Sequence, residues 1–236
     1  MQAGMGLGIG DFDTDGYLDI VKTHFRDELP VLYRNNGKGF FQDVTRRAGL
    51  GVETRFVGWG AGIVDLDNDG LPDLFVATGM VYPEVERNRP EVPYKTPLVV
   101  FRNLGGGRFE ELLDQAGPGV ASAHSSRGVA FGDFDNDGDL DILVMNMNEL
   151  PSLLRNNVRG VHHWLKVLLV ELSRTAPRSA PRLSLPMGNG ARHRRCWRSP
   201  RTFRPATAGC TLAWGALPAP ASKSAGPTPA TRRFRS

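Results

Sequence analysis

The sequence predicts an all-β chain, and three observations predict it. A nine-residue pattern, DxDxDGxxD followed by an apolar stretch, occurs three times, at Asp11 to Asp19, Asp65 to Asp73 and Asp133 to Asp141. Around each copy lie short runs rich in Val, Ile, Leu and Phe, bounded by Gly, Asn and Asp, with no sustained i, i+3, i+4 period. The charge is divided: residues 1–170 carry 16 Lys and Arg against 24 Asp and Glu, whereas residues 171–236 carry 13 against Glu171 alone. Together these predict a partial β-propeller of about three four-stranded blades with calcium-type DxDxDG loops, followed by a disordered basic tail.

The first repeat sets the pattern, with strands expected at Leu7 to Gly10, Leu18 to Thr23, Val31 to Arg34 and Phe40 to Val44. The last two are joined by Asn35-Asn36-Gly37-Lys38-Gly39, and TRRAGL from Thr45 is the one segment with weak helical character. The small and apolar lead-in LGIG at Leu7 returns as GAGIV at Gly60 and GVAFG at Gly128. The run after the aspartates returns as LFVATG at Leu74 and ILVMNM at Ile142. An Arg-Asn pair marks the third strand each time, at Arg34-Asn35, Arg102-Asn103 and Arg155-Asn156. Successive repeats start 54 and 68 residues apart, and from first Asp to marked Asn they span 24, 38 and 23 residues. One insertion of 14 residues, around 81–96, accounts for both irregularities and reads as a long surface loop, either a binding loop or a tolerated insertion.

Three carboxylates at alternate positions and a fourth four residues later repel one another unless a cation sits among them. Hard oxygen donors in a flexible loop suit Ca²⁺, which accepts about six to eight oxygens, better than Mg²⁺. The expected ligands are Asp11, Asp13, Asp15, the Tyr17 carbonyl and Asp19 in the first loop. The second loop offers Asp65, Asp67, Asp69, the Leu71 carbonyl and Asp73, and the third Asp133, Asp135, Asp137, the Asp139 carbonyl and Asp141. The helical calcium loop is a poor match, because its twelfth position needs Glu where this chain has Lys22, Val76 and Val144. The alternative is that each DxDG stretch is only a turn.

The segments GDFDTDGYLDI, VDLDNDGLPDLFVA and FGDFDNDGDLDILV, with YRNNGKGFFQDVT, FRNLGGGRFEELL and HHWLKVLLV from His162, resemble the FG-GAP/VCBS-like repeats of integrin-like β-propellers. The resemblance is specifically to bacterial and extracellular proteins ending in an ASPIC/UnbV domain, and it covers residues 4–170. It implies a calcium loop between the first and second strands of each blade, an extracellular, periplasmic or surface location, and a protein or carbohydrate ligand. Gly-Ala-Pro is absent, and complete propellers have more than three blades, so the chain reads as the end of a longer protein. The expected organisation is 1–160 as repeats, with blades at about 1–50, 51–117 and 118–160. Residues 161–170 are then the first strand of an ASPIC/UnbV-like domain and 171–236 the tail.

Where that domain should continue, the chain instead has 12 Arg, 11 Ala and 9 Pro. Cys210 to Gly215 can be encoded so that the frame one base earlier reads Leu-His-Phe-Gly-Leu-Gly, and Pro177 to Ala180 so that it reads Ala-Ile-Gly. The tail is thus either a frameshift product or a natural disordered region, and as written nothing downstream reads as a partner for the apolar run Trp164 to Val170. Its charge attracts any polyanion, which is not specific nucleic-acid recognition. Met1-Gln2-Ala3-Gly4 lacks the regions of a signal peptide, and no apolar run reaches the ~18 residues of a membrane span. No GxSxG elbow accompanies His124-Ser125-Ser126, so no enzyme is expected. The chain reads as a calcium-binding scaffold for adhesion, or else as the accessory domain of a larger extracellular enzyme. Self-association through open sheet edges is also expected.

Overall fold

The structure is a computed structural model that describes residues 3–51, 55–158, 163–169, 183–187, 190–194 and 208–214. Each repeat folds into an antiparallel sheet whose strands follow one another in chain order. The first sheet is β1 (Gly4–Gly10), β2 (Asp19–His24), β3 (Val31–Asn35) and β4 (Phe41–Asp43). The second is β5 (Gly58–Val64), β6 (Asp73–Thr78), β7 (Val99–Asn103) and β8 (Phe109–Glu111). The third is β9 (Ser126–Gly132), β10 (Asp141–Asn146) and β11 (Ser152–Leu154).

The register repeats as well, since Gly10 pairs with Asp19, Val64 with Asp73 and Gly132 with Asp141. Every acidic loop therefore leaves one strand and enters the next at the same point of its sheet. The sheets stack face to face. Phe12, Val21 and Leu32 of the first sheet meet Ala61, Ile63, Leu74, Val76, Val99 and Phe101 of the second. Phe75, Ala77 and Val100 on the other face of the second sheet meet Ile142 and Val144 of the third. Alternation along each strand supplies these two faces, which is why β6 is buried over its whole length. This is the stacking of propeller blades.

TRRAGL forms a tight turn rather than a helix. Asp43 Oδ1 accepts from the Thr45 N–H (3.0 Å) and hydroxyl (2.6 Å), the Thr45 hydroxyl takes the Leu32 N–H, and Gly49 ends the turn at φ 85°. The turn drives Ala48 and Leu50, both fully buried, between the first two sheets. The insertion carries a short helix, α1 (Glu84–Asn88), and covers a small core of Val57, Met80 and Val92. A 3₁₀ turn (Leu113–Ala116) and α2 (Pro118–Ala121) lead into the third sheet.

The third sheet has three strands among the described residues, where four were expected. In the first two repeats glycines at positive φ, Gly37 and Gly39 and then Gly105, Gly106 and Gly107, fold the chain back after the marked Asn. After Asn156 comes Asn157-Val158-Arg159-Gly160, with a single glycine, and residues 159–162 lie outside the described residues.

The apolar run does have a partner. β12 (His163–Leu169) pairs antiparallel over its length with β15 (Ala208–Trp214), and β13 (Leu183–Met187) pairs with β14 (Gly190–Arg194). Ala208–Trp214 is an uncharged stretch within the basic tail, a local exception that average composition conceals. β13, β14 and β15 are the described parts of the tail, 171–236, which was expected to lack regular structure. Its other residues lie outside the description. Among the described residues no helix is long and apolar enough to cross a membrane.

Candidate metal centre

The three acidic loops are built alike from backbone upward. The fourth residue of each, Thr14, Asn68 and Asn136, takes φ of 57°, 59° and 61°, and the sixth, Gly16, Gly70 and Gly138, takes 89°, 88° and 96°. Two left-handed residues so close together curl the chain around its own carboxylates, and only glycine accepts the second of these angles without strain. The aspartate at the fifth position then caps the seventh residue: Asp15 Oδ1 accepts from Tyr17 (2.9 Å), Asp69 Oδ1 from Leu71 (2.7 Å) and Asp137 Oδ1 from Asp139 (3.0 Å). Asp11 closes the first loop by accepting from the N–H groups of Asp15 and Gly16. Asp65 does the same for Gly70.

Carboxylate oxygens converge within 4.8 Å of one another in all three loops, from Asp11, Asp13 and Asp15, from Asp65, Asp67 and Asp73, and from Asp133, Asp135 and Asp141. Of the expected ligands, Asp19, Asp69 and Asp137 stand outside these groups, and the Asp139 side chain is held by Asn68 Nδ2 at 2.6 Å. Asp13 Oδ1 is buried and accepts no hydrogen bond. A buried acceptor with no donor, among converging hard oxygens, fits a calcium-type cation.

The last aspartate of each loop also has a task within the backbone. Asp19 accepts the N–H groups of Phe12 (3.1 Å) and Asn35 (2.8 Å), Asp73 those of Leu66 and Asn103, and Asp141 those of Phe134 and Asn156. One carboxylate thus ties the loop to the third strand, a role that spacing alone did not reveal. Burial pushes Asp19 up to about 7 and Asp73 up to about 8, opposed by those N–H bonds and reinforced by the neighbouring aspartates. Burial also raises Asp11 and Asp139. A cation among the loop carboxylates would favour their charged forms.

The Arg-Asn pair, legible as a repeated marker, proves central to the loops. Arg34 forks across Asp13 and Asp15, the second contact at 2.8 Å, and Arg155 across Asp135 (2.7 Å) and Asp137 (3.5 Å). Arg102 instead pairs with Glu110. The Asn reaches further. Asn103 Nδ2 donates to Pro72 O and, across the junction, to Phe12 O, both at 2.8 Å, and Asn156 Nδ2 donates to Leu66 O at 2.6 Å.

A second polar cluster joins the insertion to the third sheet. His124 Nε2 lies 3.1 Å from Ser122 Oγ, its Nδ1 lies 2.6 Å from Glu149, and Lys95 pairs with Glu149 at 2.6 Å. The hydrogen bonds from Lys95 and His124 hold the Glu149 carboxyl below its usual range. Ser122 sits at the C-terminal end of α2, and the N–H groups of Ala121 and Ser122 already serve Gly117 O and Pro118 O. A developing oxyanion beside Ser122 would face a helix's negative end and N–H groups that are already engaged. The cluster ties Lys95 of the insertion to Glu149 beside the third sheet.

The FG-GAP-like repeat pattern matches residues 11–76 and 92–144, half of the chain and all three acidic loops. The chain belongs to the FG-GAP-like repeat family. The break in the match, 77–91, contains α1 and most of the insertion. Cartilage acidic protein 1 is 27% identical over 175 residues in Xenopus tropicalis and in Homo sapiens, and over 177 in Mus musculus. Each alignment covers 71% of this chain and 25%, 24% and 25% of the respective relative. This FG-GAP-like chain therefore spans about a quarter of the length of the curated relatives it matches.

Proposed function

We propose that this chain is a calcium-binding FG-GAP repeat module of a secreted or surface protein, a scaffold for adhesion and ligand binding with no catalytic site of its own. The observation that carries the reading is the convergence of three carboxylates at the same point of three successive sheets. Asp11, Asp13 and Asp15 hold the first ion, Asp65, Asp67 and Asp73 the second, and Asp133, Asp135 and Asp141 the third. The Tyr17, Leu71 and Asp139 carbonyls complete the shells. The extracellular setting is supported by the family and by relatives whose name ties them to cartilage. A protein or carbohydrate ligand is the partner this reading implies, with the insertion over 81–96 as its contact loop.

At a dissociation constant of about 10⁻⁴ M and about 1 mM calcium, each site adds roughly 1.4 kcal/mol. Calorimetry in calcium and in chelator reads this directly: a higher melting temperature with calcium is expected, and identical melting curves would reject the reading. A second reading, an accessory module of a larger extracellular enzyme, is favoured by the relatives being about four times longer than the aligned segment. We also infer that residues 161–170 open an ASPIC/UnbV-like domain whose continuation is displaced by a shifted reading frame. The codons for Cys210 to Gly215 test this, by reading Leu-His-Phe-Gly-Leu-Gly one base earlier or not.

A further inference from the structure

All three repeats carry an arginine just before the marked Asn, and two of them aim it at their own acidic loop. Arg34 takes Oδ2 of Asp13 and Oδ2 of Asp15, two of the three carboxylates that converge in the first loop. Asp15 Oδ1 already accepts the Tyr17 N–H, so both of its oxygens are engaged and Asp13 keeps only Oδ1. Arg155 forks in the same way across Asp135 and Asp137 of the third loop. Arg102 stands at the same point of the second repeat and borders the cleft that Asp67 and Asp73 line, yet its guanidinium pairs with Glu110.

The difference lies one strand further out. β3 and β4 set Arg34 opposite Gln42, and β7 and β8 set Arg102 opposite Glu110 in the same register. Gln42 is neutral and exposed, so it offers the guanidinium no charge and leaves it to the loop. Glu110 is a carboxylate directly across the ladder, where opposite charges attract. A guanidinium keeps its proton in proteins, so Arg34 is a fixed positive charge on carboxylates that a cation needs. A cation entering the first loop meets like-charge repulsion or must displace a two-point ion pair.

We propose that the residue facing the arginine across the third and fourth strands sets how tightly an acidic loop holds its cation. Glutamate draws the arginine aside, and a neutral residue lets the arginine compete. The proposal rests on the calcium reading and makes the centres unequal: Arg34 lowers the affinity of the first, while Glu110 keeps Arg102 from lowering that of the second. Gln42 and Glu110 stand outside the converging carboxylates, so they tune the centres through the arginines.

Calcium titrations of the full chain, followed by the amide resonances of Gly16 and Gly70, read the first and second centres separately. Gln42→Glu, at an exposed position, should tighten the first centre about fivefold and leave the second unchanged. Glu110→Gln should free Arg102 and weaken the second centre by a like factor, leaving the first unchanged. Arg34→Ala should tighten the first centre as Gln42→Glu does, yet lower the melting temperature in chelator, because the loop then loses a counter-charge. Adding Gln42→Glu to Arg34→Ala should change the affinity little further, since the glutamate acts through the arginine. Weaker calcium binding at the first centre of Arg34→Ala would make the arginine a support of the ion and overturn the proposal. So would affinities that none of these variants moves, or an equal effect of Gln42→Glu with and without Arg34, which is the effect of added negative charge alone. Glycine resonances that do not respond to calcium in any variant would reject the calcium reading itself, and this proposal with it.

Discussion

A buried carboxylate that serves backbone N–H groups and one that waits for a cation look alike in a sequence but answer differently to substitution. Asp73 satisfies two buried N–H groups, and an Asn there would set its amide donor against one of them. Asp73→Asn should cost about 1–3 kcal/mol in urea denaturation in chelator, and more in calcium, where a ligand of the second ion is lost as well. Asp13→Asn keeps an oxygen for Arg34 but gives up the charge of that pair, so it should cost up to about 1 kcal/mol in chelator and more when calcium is present. His24 offers a pH test. It is 2% exposed, near Glu28 (3.4 Å), Lys22 and the pocket wall of Phe56 and Thr78. Burial, with some help from Lys22, lowers its pKa below 6.5 against the opposing pull of Glu28. A depressed histidine favours the fold above its unfolded pKa, so the contribution of His24 to the melting temperature should fall as pH drops from about 7.5 to about 5.5, against the rise that the elevated Asp19 and Asp73 give over the same range in chelator. The melting temperature of His24→Leu should therefore rise relative to that of the unsubstituted chain as pH drops through this range.

Among the elements, the inner strands are where glycine is required by packing. Gly62→Ala drives a methyl into the Phe131 ring and should cost about 1–3 kcal/mol, whereas Gly132→Ala, with open space beside it, should stay within about 0.5 kcal/mol in the same denaturation series. The four strands of the first repeat were legible to within a few residues, because alternation and Asn-Gly turns are local signals. The single turn at Thr45 was not, since its form depends on Asp43 and on Leu32 across the sheet. That no return strand follows Asn156 among the described residues of the third sheet shows in the sequence only by comparison with the glycines of the other repeats. At the loops, residue types and spacing pointed to the cation chemistry. The diversion of Asp19, Asp73 and Asp141 to the third strand did not show, because those partners lie 15 to 30 residues away.

At the scale of the molecule, the second sheet is packed on both faces, by the first sheet and by the third, and among the described residues each of those two is packed on one face. Hydrogen exchange should therefore be slowest in β6, where every residue is buried, and faster in β4 and β11, which have no fully buried residue. Uniform protection across the three sheets would contradict this ordering. The bonds that fasten one sheet to the next also impose a schedule. Asn103 reaches back 91 residues to Phe12, and Asn156 reaches back 90 to Leu66. During synthesis each loop can curl around its carboxylates as soon as it leaves the ribosome. For the first two loops the last fastening, however, is not made until most of another repeat has followed, so both pass through a period of being shaped yet unanchored.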